Sequence, residues 1–252
     1  MRTRAIAAAA ALIVTTGAAH AAEIDAMITT AMKAAVDELA APFERANGHV
    51  LRSTYGPSGG LARRLNAGEA ADLIVVGSKA LDELIKQGKV VGGRTDVART
   101  GIGIAVRKGA AKPDVSSPEA LKRALLAAKS IAHTAPAGGG VTAAHVMGVF
   151  EKLGIAAEVT PKVKLAAGGP NGRVSVLVSS GEAEIGLQQV SELMSNPEVE
   201  VIGMLPGELQ QMTTYSAGTT ASARQMEAAK AFIRRLAAPE AVTIYKTKGL
   251  AL

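Results

Sequence analysis

The sequence predicts an α/β protein with mainly parallel strands, on three observations. Short apolar runs alternate with amphipathic helical patterns along the chain. Four strand ends lead through a polar or glycine-rich turn into a helix: Thr29-Thr30, Ser58-Gly59-Gly60, Gly140-Val141-Thr142 and Asn171-Gly172-Arg173. No stretch of disordered composition divides the chain, so any two domains must be joined by crossing strands.

The elements follow in order. Ile24 to Ile28 is the first strand. Its helix runs from Thr29-Thr30 to about Asn47, with Val36, Leu39, Ala40 and Phe43 at helical spacing and Asn47-Gly48 as the stop. Val50 to Tyr55 is a strand, Ser58 to Ala67 a helix, Asp72 to Gly77 a buried strand, and Ala80 to Gln87 a helix stopped by Gly88. Arg99 to Arg107 alternates small and apolar residues as a strand does. Ser117-Pro118-Glu119 opens a helix to about Lys129, with a serine cap, proline at the first position and an acid in the first turn. Ser130 to Thr134 is a strand, followed by a helix through Leu153. Lys162 to Ala167 is a strand, followed by a helix through Ser180. Ile185 to Gln189 and Val199 to Leu205 are strands, and Thr213 to Ser216 is a short crossing segment. Ala221 to Leu236 is the final helix, with Ala228, Ala231, Phe232 and Leu236 on one face.

Composition narrows the function. Met1-Arg2-Thr3-Arg4 is basic, Ala5 to Thr16 is apolar but too short to span a bilayer as an anchor, and Ala19-His20-Ala21 has the small-x-small pattern of a cleavage site. Residues 1–21 therefore read as a signal peptide, and the mature chain of about 230 residues is expected in the periplasm. Of 28 basic residues, Arg2 and Arg4 leave with that segment, so the remaining 26 against 22 acidic ones give a modest surplus of about +4. Basic clusters interleaved with aromatics are missing, which argues against nucleic acid as a partner. There is no cysteine, hence no disulfide and no thiolate metal site. Three Tyr, three Phe and no Trp leave little aromatic platform, which points to a small polar ligand.

The segment Tyr55 to Ile74 holds the strongest functional signal, and its Gly56-Pro57-Ser58-Gly59-Gly60 turn admits three readings. Ser58 is an N-cap, a hydroxyl in an anion seat at a helix N-terminus, or the nucleophile of a G-x-S-x-G elbow. A hydrolase triad needs an acid and then a histidine downstream. Only His133 and His145 follow Ser58, both mid-chain, and no His-Gly-Gly segment precedes it. The four histidines show no metal-ligand spacing, and neither glycine-rich loop carries a Gly-Lys-Ser/Thr, so neither a metal, a nucleotide nor any other cofactor is expected.

Several segments carry a family resemblance. They are Ala35-Val36-Asp37-Glu38-Leu39-Ala40-Ala41-Pro42-Phe43-Glu44 with Asn47-Gly48, Ser58-Gly59-Gly60-Leu61-Ala62-Arg63 and Asn66-Ala67-Gly68-Glu69-Ala70-Ala71-Asp72-Leu73. Later come Glu151-Lys152-Leu153-Gly154-Ile155 and Ser180-Gly181-Glu182-Ala183-Glu184-Ile185-Gly186. In these, over nearly the whole mature chain, the sequence resembles the extracytoplasmic solute-binding proteins of ABC transporters, in the branch of the molybdate-binding proteins.

The resemblance implies a type II periplasmic-binding-protein architecture: two mixed sheets flanked by helices, with a hinge crossed twice. Lobe 1 would be 22–98 plus 213–252, and lobe 2 would be 99–212. It implies a binder rather than an enzyme, a monomer that takes a small anion and hands it to an ABC permease. Carried over by position, the ligand contacts are Thr29 and Thr30, Ser58 with Gly59, Val141 and Thr142, and Gly172. The chain departs from the branch in keeping one hydroxyl at Ser58, in placing Gln189 near a tyrosine position, and in setting Arg173 at a helix start. An arginine fork suits a planar carboxylate as well as a tetrahedral oxyanion. The expected ligand is therefore a molybdate-like oxyanion, with a small organic carboxylate as the alternative.

Overall fold

The computed structural model describes residues 21–138, 141–167 and 173–252. The expected signal peptide, Ala21 apart, and the expected contact Gly172 lie outside the described residues.

β1 (Glu23–Thr29) runs through a 3-10 turn (Thr30–Met32) into α1 (Lys33–Asn47). β2 (Val50–Gly56), α2 (Ser58–Asn66), β3 (Leu73–Gly77), α3 (Ser78–Lys86) and β4 (Val90–Thr100) complete the first stretch. Next come β5 (Ile102–Arg107), α4 (Pro118–Ala127), β6 (Ile131–Thr134), α5 (Val141–Lys152), α6 (Ala156–Val159) and β7 (Val163–Ala166). Then follow α7 (Val174–Ser179), β8 (Ile185–Gln189), α8 (Val190–Leu193) and β9 (Val199–Met204). β10 (Thr213–Thr220), α9 (Met226–Leu236) and α10 (Ala241–Thr247) close the chain.

Local chemistry sets several of these boundaries. Gly48 ends α1 in the left-handed region at φ 69°, where a side chain would be strained. Ser117 caps α4 by accepting the Ala120 N–H at 3.1 Å, with Pro118 at the first helical position as read from the sequence.

The strands form two sheets, ordered β2-β1-β3-β10-β4 and β7-β6-β8-β5-β9. β1 pairs in parallel with β2 and β3, and β6 with β7 and β8. β10 runs antiparallel to β3 and β4, and β5 runs antiparallel to β8 and β9. The sheets are thus mixed, with as many antiparallel pairings as parallel ones, rather than mainly parallel. The chain passes between the sheets twice, at Gly101 and again between β9 and β10.

Helices cover both faces of each sheet, so β3, at the centre of the first, is apolar and buried along its whole length. In β3, Leu73 and Val75 pack with α1 and α9 residues, and Ile74 and Val76 pack with Leu61, Leu65, Leu81 and Leu84 of α2 and α3. Each such Leu or Ile contributes about 1.5–3 kcal/mol by leaving water. Phe43 of α1 meets Phe232 of α9 edge-on at 5.0 Å between centroids. In the second sheet, Ile102, Ile104 and Val106 face α4 and α5, while Ala105 faces α7.

Asp72 ties the first unit together. Its carboxylate, 2% exposed, accepts backbone N–H groups of Asp25, Arg224 and Gln225 at 2.7–2.8 Å. One side chain thereby joins β1, the start of β3 and the entry to α9.

Five expectations from the sequence differ from the structure. Thr213 to Ser216 is not a short crossing segment but the start of β10, an eight-residue strand inside the first sheet. Its residues are small and hydroxyl-bearing, so no apolar run marks it. Its place is set by fit, since a Cβ on Gly218 would lie 2.5 Å from Val90 Cγ1. β4 was not foreseen as far back as Val90, because it is a sheet edge, mostly exposed, with Gly92 and Gly93 at positive φ. The closing helix starts at Met226 rather than Ala221, buries Ala229 and Ile233 beside Ala228, Phe232 and Leu236, and leaves Ala231 partly exposed. It is not the last: α10 follows, anchored by Tyr245, whose hydroxyl donates to the Leu236 carbonyl at 2.6 Å. The short α6 and α8 carry too few residues to show a helical period and were not foreseen either.

Candidate functional site

The carboxyl ends of β1, β2 and β3 lie side by side, with Thr29 opposite Gly56 in register. In open α/β sheets this edge is where ligands gather. Thr29 is the last residue of β1 and Ser58 the first of α2, and both are about 4% exposed. The Ser58 hydroxyl donates to Thr29 Oγ1 at 3.1 Å and accepts the Gly77 N–H at 3.1 Å. Two of the four expected junctions therefore meet directly.

Ser58 is not an N-cap: Pro57 holds that position, with no side-chain cap. Among the described residues the Ser58 hydroxyl has no histidine partner, and every histidine is engaged elsewhere. His133 Nδ1 lies 2.9 Å from the Thr134 carbonyl, His145 Nε2 lies 2.7 Å from the Leu209 carbonyl, and His49 Nδ1 accepts the Ala22 N–H at 3.2 Å. Burial also holds the His133 imidazole below its ordinary pKa, against the bond to Thr134.

On the other sheet, Gln189 ends β8 and is 1% exposed. Its Nε2 donates to Thr142 Oγ1 of α5 and to Thr213 Oγ1 of β10, each at 3.2 Å. Gln189 thus bridges the second sheet to the first. Its Oε1 is buried with no partner among the described residues, an uncommon condition in a folded interior. A half-turn of the amide would let both threonines donate to Oε1 and present the NH2 group to an anion. Val141 opens α5 beside Thr142.

Between the units lies a cavity of about 190 Å³. Its wall is Thr30, Lys33, Ala34 and Asp37 from one side and Arg173, Ser191, Glu192 and Ser195 from the other. Drug-sized ligands occupy roughly 300–1,000 Å³, so this space suits a smaller molecule. Thr30 and Arg173, expected from the sequence, share this cavity. Gly59 sits in the first turn of α2 beside Ser58, with no polar side chain to contribute.

The cavity is charged. Lys33 pairs with Asp37 at 2.5 Å and lies 4.4 Å over the Tyr55 ring, whose hydroxyl donates to Asp37 at 2.6 Å. Burial and that bond push the Tyr55 phenol above its usual range. Arg173 donates to Ser195 Oγ at 3.3 Å. Glu192 is partly exposed, and the protein packed around it in the cavity wall desolvates its carboxyl. That burial raises its pKa to about 7 against the opposing pull of Arg173 and a bond from Gln188. Tyr215, fully enclosed nearby, is pushed well above 10 by burial and by the Glu192 charge. The Ser191 hydroxyl, in a residue 3% exposed, has no partner among the described residues.

Lys33, Ser191, Glu192 and Thr213 were missed in the sequence. Lys33 stands three residues after Thr30, and Ser191-Glu192 directly follow Gln189-Val190, so their only signal was adjacency to residues already chosen. A larger groove of about 480 Å³ lies on the second unit, lined mostly by alanines and valines with Arg107 and Glu184. It lacks the convergent polar groups of the junction and touches none of the expected residues.

The model of the bacterial extracellular solute-binding proteins matches residues 24–251. An aconitate isomerase of Pseudomonas sp is 33% identical over 221 residues, covering 85% of this chain and 82% of that protein. The molybdate-binding protein ModA of Azotobacter vinelandii is 27% identical over 240 residues, covering 93% and 92%. The solved periplasmic molybdate-binding protein of Azotobacter vinelandii superposes with a TM-score of 0.71 at 20% identity, over 90% of this chain and 98% of that one.

Proposed function

The chain belongs to the bacterial extracellular solute-binding proteins, with the type II periplasmic-binding-protein fold, and from that premise we propose that it captures a small polycarboxylate between its two units. One observation carries the reading: a cavity bridging the units presents Lys33 and Arg173, from opposite walls, beside Thr30 and the unpartnered Ser191 hydroxyl. Cationic forks and ammonium groups match carboxylates at several points along a ligand. The hydroxyl networks of Thr29 with Ser58 and of Thr142 with Gln189, flanked in sequence by Gly59 and Val141, adjoin this cavity through Thr29-Thr30 and Gln189-Val190-Ser191, and extend the site. The isomerase relative is named for aconitate, an unsaturated tricarboxylate, which supports the same ligand class.

In this reading, residues 22–98 plus 213–252 and residues 99–212 act as two lobes. They close on the anion, exclude water and so strengthen each charged contact. Residues 1–21 direct export and are removed, and the loaded monomer meets an ABC permease. The role is binding without turnover: cis- and trans-aconitate incubated with the protein should stay unchanged by NMR.

A thermal-shift panel of citrate, aconitate, succinate, molybdate and sulfate tests the proposal. A true ligand at a hundredfold excess over Kd should stabilise by about 2.7 kcal/mol. Silence from every carboxylate would sink it. The second reading, a molybdate-like oxyanion, rests on the neutral hydroxyl networks and the molybdate-binding relative, and a shift with molybdate alone would select it.

A further inference from the structure

We propose that Glu192 determines the specificity of this cleft, admitting carboxylates that share a proton with it and turning away sulfate-like anions of strong acids. The inference rests on the polycarboxylate reading above and names the residue that makes the choice.

Glu192 lines the cavity from α8, next to the unpartnered Ser191 hydroxyl. Among the described residues, the titratable groups around it are Arg173 from the start of α7, Lys33 and Asp37 from α1, and Tyr215 from β10. With Glu192 ionised, two cations face two carboxylates, and an arriving dianion gains no net charge while meeting a like charge. Such repulsion is an effective way to reject a competitor. With Glu192 protonated, the wall carries one net positive charge and its O–H becomes a donor. An O–H bound to a carboxylate oxygen makes a short, charge-assisted hydrogen bond. Sulfate oxygens are far weaker bases than carboxylate oxygens, so they gain less from the shared proton. Burial places the Glu192 titration near neutrality, where the proton can be taken up with the ligand.

The test is calorimetric titration of tricarballylate and sulfate into the full mature chain and its Glu192→Gln variant from pH 6 to 8. The wild type should bind tricarballylate about tenfold more weakly at pH 8 than at pH 6, beyond any change in the variant, which carries the ligand's own titration. Heats in two buffers of unlike ionisation enthalpy should show close to one extra proton taken up by the wild type at pH 8. That second measurement needs no variant. Parallel pH profiles, absence of proton uptake, or sulfate binding as tight as tricarballylate at pH 8 would each overturn the proposal while leaving carboxylate capture standing. No binding of any anion would instead overturn the polycarboxylate reading, and this inference with it.

Discussion

Two carboxylates mark opposite uses of the interior. Asp72, at the base of the first unit, has both oxygens engaged by three backbone N–H groups. Glu192, at the junction of the units, has the Gln188 amide and the Arg173 charge against a burial strong enough to raise its pKa to about 7. A buried charge whose lone pairs are filled by the backbone fixes architecture, because those donors have no other partner. One left under-satisfied in a cavity is poised to respond to what enters it. The contrast separates a residue that holds the fold from one that lines the cavity, although both are acidic and adjacent to a strand end.

The largest effect should come from the architectural side. Asp72→Ala strands three backbone N–H groups and should lower the unfolding free energy by about 4 kcal/mol in urea titrations. Ligand affinity, measured where the variant is still folded, should not change. On the ligand side, Arg173→Ala should raise the Kd of the best carboxylate about thirtyfold, near 2 kcal/mol for a hydrogen bond to a charged group. Unchanged affinity in isothermal titration would remove Arg173 from the site.

Glu192 sharpens the comparison through pH. Its folded pKa lies above the unfolded value near 4.5, so its contribution to stability is full below pH 4.5 and is lost as pH rises through about 7. The Tm of the unliganded protein should therefore fall between pH 5 and pH 8, by roughly 7 °C for about 2.5 kcal/mol at this chain length. In Glu192→Gln this decline should disappear. Gln189→Leu breaks the bonds to Thr142 and Thr213 and should weaken binding about fivefold, near 1 kcal/mol. The smallest effect belongs to the exposed Arg64–Glu69 pair, next to Asp72 in sequence. There Arg64→Ala should cost under about 1 kcal/mol by urea titration.

Much of the fold was legible. β1 to β3 and β6 to β8 announce themselves as apolar runs between turn residues, and α4 announces itself by its Ser-Pro-Glu start. β10 did not, because Thr213 to Thr220 is small and polar and is recruited by its neighbours rather than by its own pattern. The site was legible where it coincided with strand-turn-helix junctions. Thr29 with Ser58, and Thr142 with Gln189, were chosen from the sequence and stand in contact. Lys33, Ser191 and Glu192 lie just past those junctions, where a charge on a short helix reads as an ordinary surface residue.

The sequence by itself determined the α/β class, the family and the turn at Ser58, because periodicity, capping and short motifs are local properties of the chain. Only the tertiary structure decided what Ser58 does. Residues 29 and 77 come to its hydroxyl through the register of β1 and β3, so the serine ties two strand ends together instead of capping its helix. Likewise Glu192 became a candidate for selectivity only when the second sheet brought it against α1 and Arg173. Burial and the company of other charges arise from residues distant in sequence, and no local pattern encodes them.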